Sequence, residues 1–336
     1  MQIGLFHSIQ WPEGSDQTER YAQALAQACH ADALGFDSVW LTEHHFSRHG
    51  IVSDSLTVLG HLAARTSHAR LGTAVSVLPL HHPLRFAEAA ATVDQLSDGR
   101  LDLGIGRGYQ PGEFRGFGID IAEKHARFDE AVDVLRRVWA TDGPVSHSGT
   151  YFSFEDAAPQ PRPRQRPHPP VWVATDSPDG LATCAENDWG VLLPQGTSLT
   201  ITAAQMKRYT EALDRAGSGT DRARAYLARA AHVAATDAQA WAEAEGPYRD
   251  FLGYADHLRR AQHPGGGRSP FDLDADLRDS ALFGGPETII TRLAAIRELG
   301  IERVMLFMHM GGLAHEKIMS SLELVAREVL PVVREM

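Results

Sequence analysis

The sequence predicts an α/β protein of the TIM-barrel class: a single (β/α)8 barrel with insertions, running as one domain over residues 1–336. Three observations carry that prediction. Eight times, an apolar, β-branched or aromatic run gives way to polar residues and then to a helical pattern, which is the alternation of a parallel sheet wrapped in helices. The length of 336 residues with 43 % apolar content suits one barrel core with insertions. Reactive side chains also recur just after the apolar runs. Glu43-His44-His45 follows Ser38-Val39-Trp40-Leu41, Arg107 follows Leu101-Asp102-Leu103-Gly104-Ile105, and Asp176-Ser177 follows Val171-Trp172-Val173-Ala174. The C-terminal ends of parallel strands are where such a barrel assembles one active site.

The strand candidates are 2–6, 37–41, 70–77, 101–105, 170–174, 189–193, 226–234 and 303–308. Eight of them close into a barrel more readily than they spread as an open sheet. The closing count rests on Tyr226-Leu227-Ala228-Arg229, which fits a helix as well as a strand. Between strands, apolar residues recur three and four apart, as at Phe86, Ala90 and Val93, at Phe128, Ala131, Leu135 and Val138, and at Ile318, Leu322, Val325 and Val329. Gly35, Gly99 and Gly300 each lie between a helix and the next strand, the place of a left-handed C-terminal cap. Two segments break the alternation. Residues 141–170 carry six prolines from Pro159 to Pro170 and read as a hairpin followed by an extended arm. Residues 256–285, with Pro264-Gly265-Gly266-Gly267-Arg268, form a long loop after the seventh strand, to be read as an active-site lid or as disorder.

Lys and Arg total 32 against 43 Asp and Glu, a formal charge of −11. That balance excludes general binding of nucleic acid or of an anionic membrane, because both need a positive field. A phosphate-bearing ligand would need a local cluster of Arg and backbone N–H groups. Cys29 and Cys184 are far apart in sequence and imply no disulfide or metal framework. The first residues lack a charged segment and a long apolar core, and no apolar stretch approaches 18 residues. A cytoplasmic protein is therefore expected.

Histidine is the natural acid–base group near neutral pH, so His44 is the candidate catalytic residue, with Glu43 to orient or recharge it. His45 reads as the same chemistry or as a hydrogen-bonded group in the barrel wall. No metal is expected even with His49 nearby, since adjacent strand residues point to opposite faces and no ligand spacing supports an ion. Gly104-Ile105-Gly106-Arg107-Gly108-Tyr109 lacks the spacing of a dinucleotide-binding loop. Gly106 instead admits close approach of a flat ligand to the backbone, and Arg107 is either a fork for phosphate or carboxylate or a buried structural ion pair. Asp176-Ser177-Pro178-Asp179-Gly180 opens a helix whose free N–H groups suit a phosphate, and simple N-capping by Ser177 or Asp176 accounts for it equally. The small residues Gly72-Thr73-Ala74-Val75-Ser76 accommodate a planar ring or ordinary packing. The alanines of 55–66 and 83–96, including Ala63, Ala64, Ala87, Ala89, Ala90 and Ala91, suit contact between two copies or packing on their own barrel.

Taken in order, Trp40-Leu41-Thr42-Glu43-His44-His45-Phe46, Gly72-Thr73-Ala74-Val75, Leu96-Ser97-Asp98-Gly99-Arg100, Gly106-Arg107-Gly108 and Gly311-Gly312-Leu313-Ala314-His315-Glu316 resemble the bacterial luciferase-like flavin monooxygenases over nearly the whole chain. The resemblance implies a barrel carrying reduced flavin mononucleotide (FMN) across its strand ends. It makes His44 the catalytic histidine and puts Ala74-Val75 at a non-prolyl cis peptide beneath the isoalloxazine ring. Arg107, Ser177 and the backbone near Gly180 would then hold the phosphate beside Asp176, with Arg127 a weaker addition. Gly106 departs from the luciferase catalytic subunit, which has a cysteine there. That change leaves room for a bulkier substrate and argues against light emission.

The implied chemistry is dioxygen activation as a flavin C4a-(hydro)peroxide, protected from water and aimed at a small organic substrate. The chain shows no NAD(P)H site of its own, so a separate flavin reductase is expected to supply reduced FMN in a two-component system. A homodimer is expected, as usual in the family. His7, Tyr109, Gln195, Arg229, His232 and His309 are the expected substrate contacts. Three rivals stand: a hydride-transferring relative that uses the deazaflavin F420, a flavin-binding relative without catalysis, and a metal-dependent barrel hydrolase.

Overall fold

β-Branched and aromatic runs become strands here because helices cover their outer faces and side chains fill the space they enclose. The computed structural model describes residues 1–219, 224–262 and 275–336. In chain order it begins with β1 (Gln2–His7), α1 (Gln17–Leu34), β2 (Ser38–Leu41), α2 (Ser55–Ala63), β3 (Arg70–Thr73), the two-residue β4 (Ser76–Val77) and α3 (Pro83–Leu96). It continues through β5 (Leu101–Gly106), α4 (Pro111–Gly116), α5 (Lys124–Ala140), β6 (Val145–Ser148), β7 (Ser153–Ala157), β8 (Val171–Ala174), α6 (Pro178–Glu186), β9 (Gly190–Leu193) and α7 (Leu199–Arg215). The last part holds β10 (Ala225–Val233), α8 (Asp237–Gln262), α9 (Ala275–Ser280), β11 (Leu282–Gly284), α10 (Pro286–Glu298), β12 (Arg303–Phe307), α11 (His315–Leu324) and, after one π turn, α12 (Leu330–Glu335).

Parallel pairing runs β1–β2–β3–β5–β8–β9–β10–β12 and returns to β1, closing eight strands into a barrel. The ambiguous run at 226–234 is the strand β10, buried along its whole length. Helix ends follow local chemistry. Asp16, Asp54, Ser177 and Ser198 each accept a backbone N–H in the first turn of the helix they precede, and Gly35 closes α1 at φ +87°. The 141–170 insertion contains the antiparallel hairpin β6–β7. Its turn is held by one carboxylate, Glu130 of α5, which accepts the N–H groups of Thr150, Tyr151 and Phe152.

The 256–285 stretch is not one loop. Residues 256–262 continue α8, and 275–284 contain α9 and β11, which pairs with the far half of β10. The helix was missed because its pattern runs into the glycine-rich segment. Of the expected lid, residues 256–285, the part from 263 to 274 lies outside the described residues. No helix among the described residues is long and apolar enough to cross a membrane. Ala63, Ala87, Ala90 and Ala91 are buried against their own barrel, whereas Ala64 is exposed.

Aromatic rings plug the N-terminal half of the barrel. Trp40 and Trp172 each meet Tyr226 at 4.7 Å between centroids, and Trp172 donates to Asp102, which is held by Arg70 at 2.6 Å. Glycines make the room. A Cβ at Gly72 would sit 2.2 Å from Trp40 and one at Gly190 2.1 Å from Trp172. Gly72→Ala should therefore cost about 1–3 kcal/mol of stability through overpacking, read as a lower urea midpoint. An unchanged midpoint would show that the plug yields.

Candidate active site

The candidate residues lie on the loops at the C-terminal rim, and the one after β2 is sewn to the one after β1. Thr42 N–H donates to the His7 carbonyl, Ile51 N–H to that of Ile9, Trp11 N–H to that of Arg48, and the Ser8 hydroxyl to that of His49. His44 N–H donates to the Val52 carbonyl at 2.9 Å, fixing the histidine from behind.

His44 is buried, and its Nδ1 lies 3.0 Å from Oε1 of Glu113, which α4 supplies. The same oxygen accepts the backbone N–H of His45 at 3.0 Å. A carboxylate only accepts, so Nδ1 carries the ring proton and Nε2 keeps the lone pair. The Gln110 amide, also 3.0 Å from Nδ1, serves that proton when it turns its oxygen, which has no other partner, toward the ring. Glu43 does not touch His44, contrary to expectation. Neighbouring residues project to opposite sides, so Glu43 lies 3.0 Å from Nε2 of His45 and 2.9 Å from Nε2 of His81. The role assigned to Glu43 falls to Glu113, 69 positions away from His44 in sequence.

Arg107 and Ser177 do meet, with Arg107 Nη1 donating to Ser177 Oγ at 3.3 Å. Ser177 Oγ also accepts the N–H of Gly180 at 3.2 Å, so the N-cap and the guanidinium share one spot at the start of α6. Among the described residues, the nearest carboxylate to Arg107 is that of the exposed Asp129 at 3.8 Å, and the buried Nε of Arg107 has no partner. Asp176 is exposed beside them. Arg127 does not join this cluster. The i,i+4 partner Glu123 takes its guanidinium at 2.8 Å, and the Tyr151 ring lies 4.5 Å beneath it. Ala74 and Val75 are linked by a cis peptide and half-buried, and a Cβ at Gly106 would lie 2.6 Å from Val75. A phosphate fits the Arg107–Ser177–Gly180 spot, because it offers a cation with a spare donor, a hydroxyl and helix N–H groups. The small residues leave backbone surface beside it for a flat ring.

A wall of rings continues from His44. His49 lies 4.8 Å from His44 and stacks on Phe251 of α8 at 5.0 Å, and Phe251 meets Phe307 at 5.0 Å. The Arg48 N–H donates to the Tyr254 hydroxyl, tying α8 to the same loop. Gly311, at φ +52°, abuts α8 so closely that a Cβ would sit 2.2 Å from the Pro247 carbonyl. Several expected substrate contacts are engaged in the frame. Arg229 donates to the carbonyls of Pro194 and Gln195 and to Thr202 Oγ1, and His232 pairs with Glu243 at 2.8 Å. His7 and His309 are wholly enclosed, 5.4 Å apart. Tyr109 is largely exposed and 6.2 Å from His44.

Burial raises the pKa of Glu43, but hydrogen bonds from His45 and His81 outweigh it and hold the carboxyl near 2. Burial lowers the pKa of His81, and the bond to Glu43 more than reverses that, so His81 is raised above 6.5. The Glu43 contribution is present above 4.5 and lost as pH falls toward 2, and that of His81 is present below 6.5 and lost as pH rises past its raised value. Glu43→Gln should therefore lower the melting temperature most between pH 4.5 and 6.5, and less at about pH 9. Melts showing the same deficit at every pH would refute the pairing.

Residues 1–303 match the family model of luciferase-like monooxygenases. The oxygenase component of a flavin-dependent trigonelline monooxygenase from Acinetobacter baylyi is 27 % identical, over 100 % of this chain and 96 % of its own. The matched stretch spans only 45 % and 62 % of two uncharacterized proteins of Sinorhizobium fredii, at 40 % and 37 % identity. Among solved structures, the monooxygenase RslO1 from Streptomyces bottropensis is 28 % identical with a TM-score of 0.87, covering 99 % of both chains. An F420-dependent secondary alcohol dehydrogenase covers 99 % of both chains, with a TM-score of 0.78 at 19 % identity, a likeness of fold alone. With the eight-stranded barrel and the family match in place, this chain belongs to the luciferase-like monooxygenases.

Proposed function

We propose that this chain is the oxygenase component of a two-component monooxygenase, taking reduced FMN from a separate flavin reductase and using O2 to oxygenate a small organic substrate. One observation carries the reading: the His44–Glu113 pair and the Arg107–Ser177 pair both stand at the C-terminal ends of barrel strands, as do the cis-linked Ala74–Val75 and Gly106, which lie against each other. The likeness to the trigonelline oxygenase component over full length supports it. Arg107 and Ser177 Oγ hold the phosphate at the start of α6, beside Gly180, and Ala74, Val75 and Gly106 face the flat ring. Bound reduced flavin supplies the activation of dioxygen. His44 takes up or returns a proton at Nε2, and Glu113 steadies the charge the ring gains through Nδ1. Two copies pairing through α2 and α3 belong to the same reading, checked by sedimentation.

The test is oxygen uptake with a purified flavin reductase, NADH and FMN, using 18O2 to follow the oxygen atom, alongside anaerobic titrations with reduced FMN and reduced F420. The reading expects uptake only with both proteins present. Binding of reduced F420 without binding of FMN would overturn it in favour of hydride transfer. Arg107→Ala should weaken FMN binding about 10–100-fold, the loss of a charge-assisted hydrogen bond. His44→Ala should keep FMN affinity and lower kcat by about 10²–10⁴. Equal losses of binding and kcat in His44→Ala would move that residue from the chemistry to the frame.

A further inference from the structure

Resting on that reading and deepening it, we propose that His49 is a substrate-positioning residue whose Nε2–H hydrogen-bonds a carbonyl oxygen of a neutral, planar, conjugated substrate beside His44.

The argument starts from an imbalance. His49 is buried and its ring lies nearly parallel to Phe251 and Tyr254, at 15° and 19°, as a phenylalanine would pack. Yet its Nδ1 is sealed away with no hydrogen-bond partner among the described residues, an arrangement that packing alone gives no reason to keep. The other nitrogen, Nε2, is not among the enclosed atoms. A neutral imidazole has one N–H, and an enclosed N–H without an acceptor is the rarer orphan. The proton therefore belongs on Nε2, leaving only a lone pair enclosed at Nδ1. Burial, helped by the neighbouring His44, lowers the His49 pKa from 6.5 to about 3, so the ring stays uncharged at neutral pH. Among the described residues no carboxylate bonds His49, in contrast to His44, His45 and His81.

A neutral N–H donor polarises a carbonyl without bringing a charge that would compete with the acid–base histidine. The two rings form a corner, 4.8 Å between centroids at 67°, so a group held by His49 is presented to His44. The rings beyond, Phe251, Phe307 and Phe6, give the corner an aromatic wall. Such a wall favours a conjugated molecule over an aliphatic one of equal size, through offset and edge contacts.

The test uses two probes of one shape, acetophenone and α-methylstyrene, in which C=CH2 replaces C=O. Each is titrated by calorimetry into the full chain, with and without FMN. Wild type should prefer acetophenone about tenfold, the effect of one net hydrogen bond. His49→Phe should keep the stack and the α-methylstyrene affinity while the preference falls to near unity, and His49→Gln, which keeps a donor, should restore part of it. If His49→Phe does not fold, His49→Asn, too short to reach the same point, takes its place with the same expectation. The inference falls if the preference survives in these variants, if wild type shows none, or if neither probe binds. FMN titration of the same samples reports separately on the flavin reading, which stands or falls without reference to the probes.

Discussion

The return of the hydrogen-bond ladder from β12 to β1 is the constraint from which the rest follows. An open sheet would leave the eight strand ends spread along a line, with His44 and Ser177 separated by the width of the intervening strands. Closure turns that line into a ring, and the ring brings His44 and Arg107 to one mouth. Closure in turn depends on what fills the inside. Trp40, Trp172 and Tyr226 are too large to share a barrel with side chains on every facing strand, and Gly72 and Gly190 are the vacancies that admit them.

At the mouth, the two-residue period of extended chain decides which carboxylate serves which histidine. Glu43, His44 and His45 are contiguous, yet they belong to two separate networks. Glu43 links His45 and His81 inside the wall, while His44 takes its carboxylate from α4. The networks meet at the main chain of His45, whose N–H is held by Glu113. A buried carboxylate that anchors both the His44 ring and the backbone one residue on sets the ring's height as well as its tautomer.

How much of this could be read from sequence depends on whether the signal was local. All eight barrel strands, the hairpin in the proline-rich insertion and the left-handed Gly35, Gly99 and Gly300 follow from periodicity and turn chemistry. The meeting of Arg107 with Ser177 was legible because both stand at strand ends that a barrel makes adjacent. Glu113 was not, because nothing in Pro111-Gly112-Glu113-Phe114 marks a carboxylate as facing a histidine 69 positions earlier. Arg229 and His232 differ in another way: both stand within β10 and not on a loop, and their polar atoms meet Pro194, Gln195, Thr202 and Glu243, partners that no local pattern announces. The long α8 was obscured by the glycines that follow it.

The contact of Gly311 with the Pro247 carbonyl has a wider bearing. Two main chains meet there, with no side chain between them to be trimmed or enlarged. The spacing at that junction is thus set by backbone, while the surface beside it is set by the side chains of α8, with Phe251 and Tyr254 stacked along His49. A substitution on α8 there changes which side chains are presented, whereas any side chain at Gly311 would force the two main chains apart.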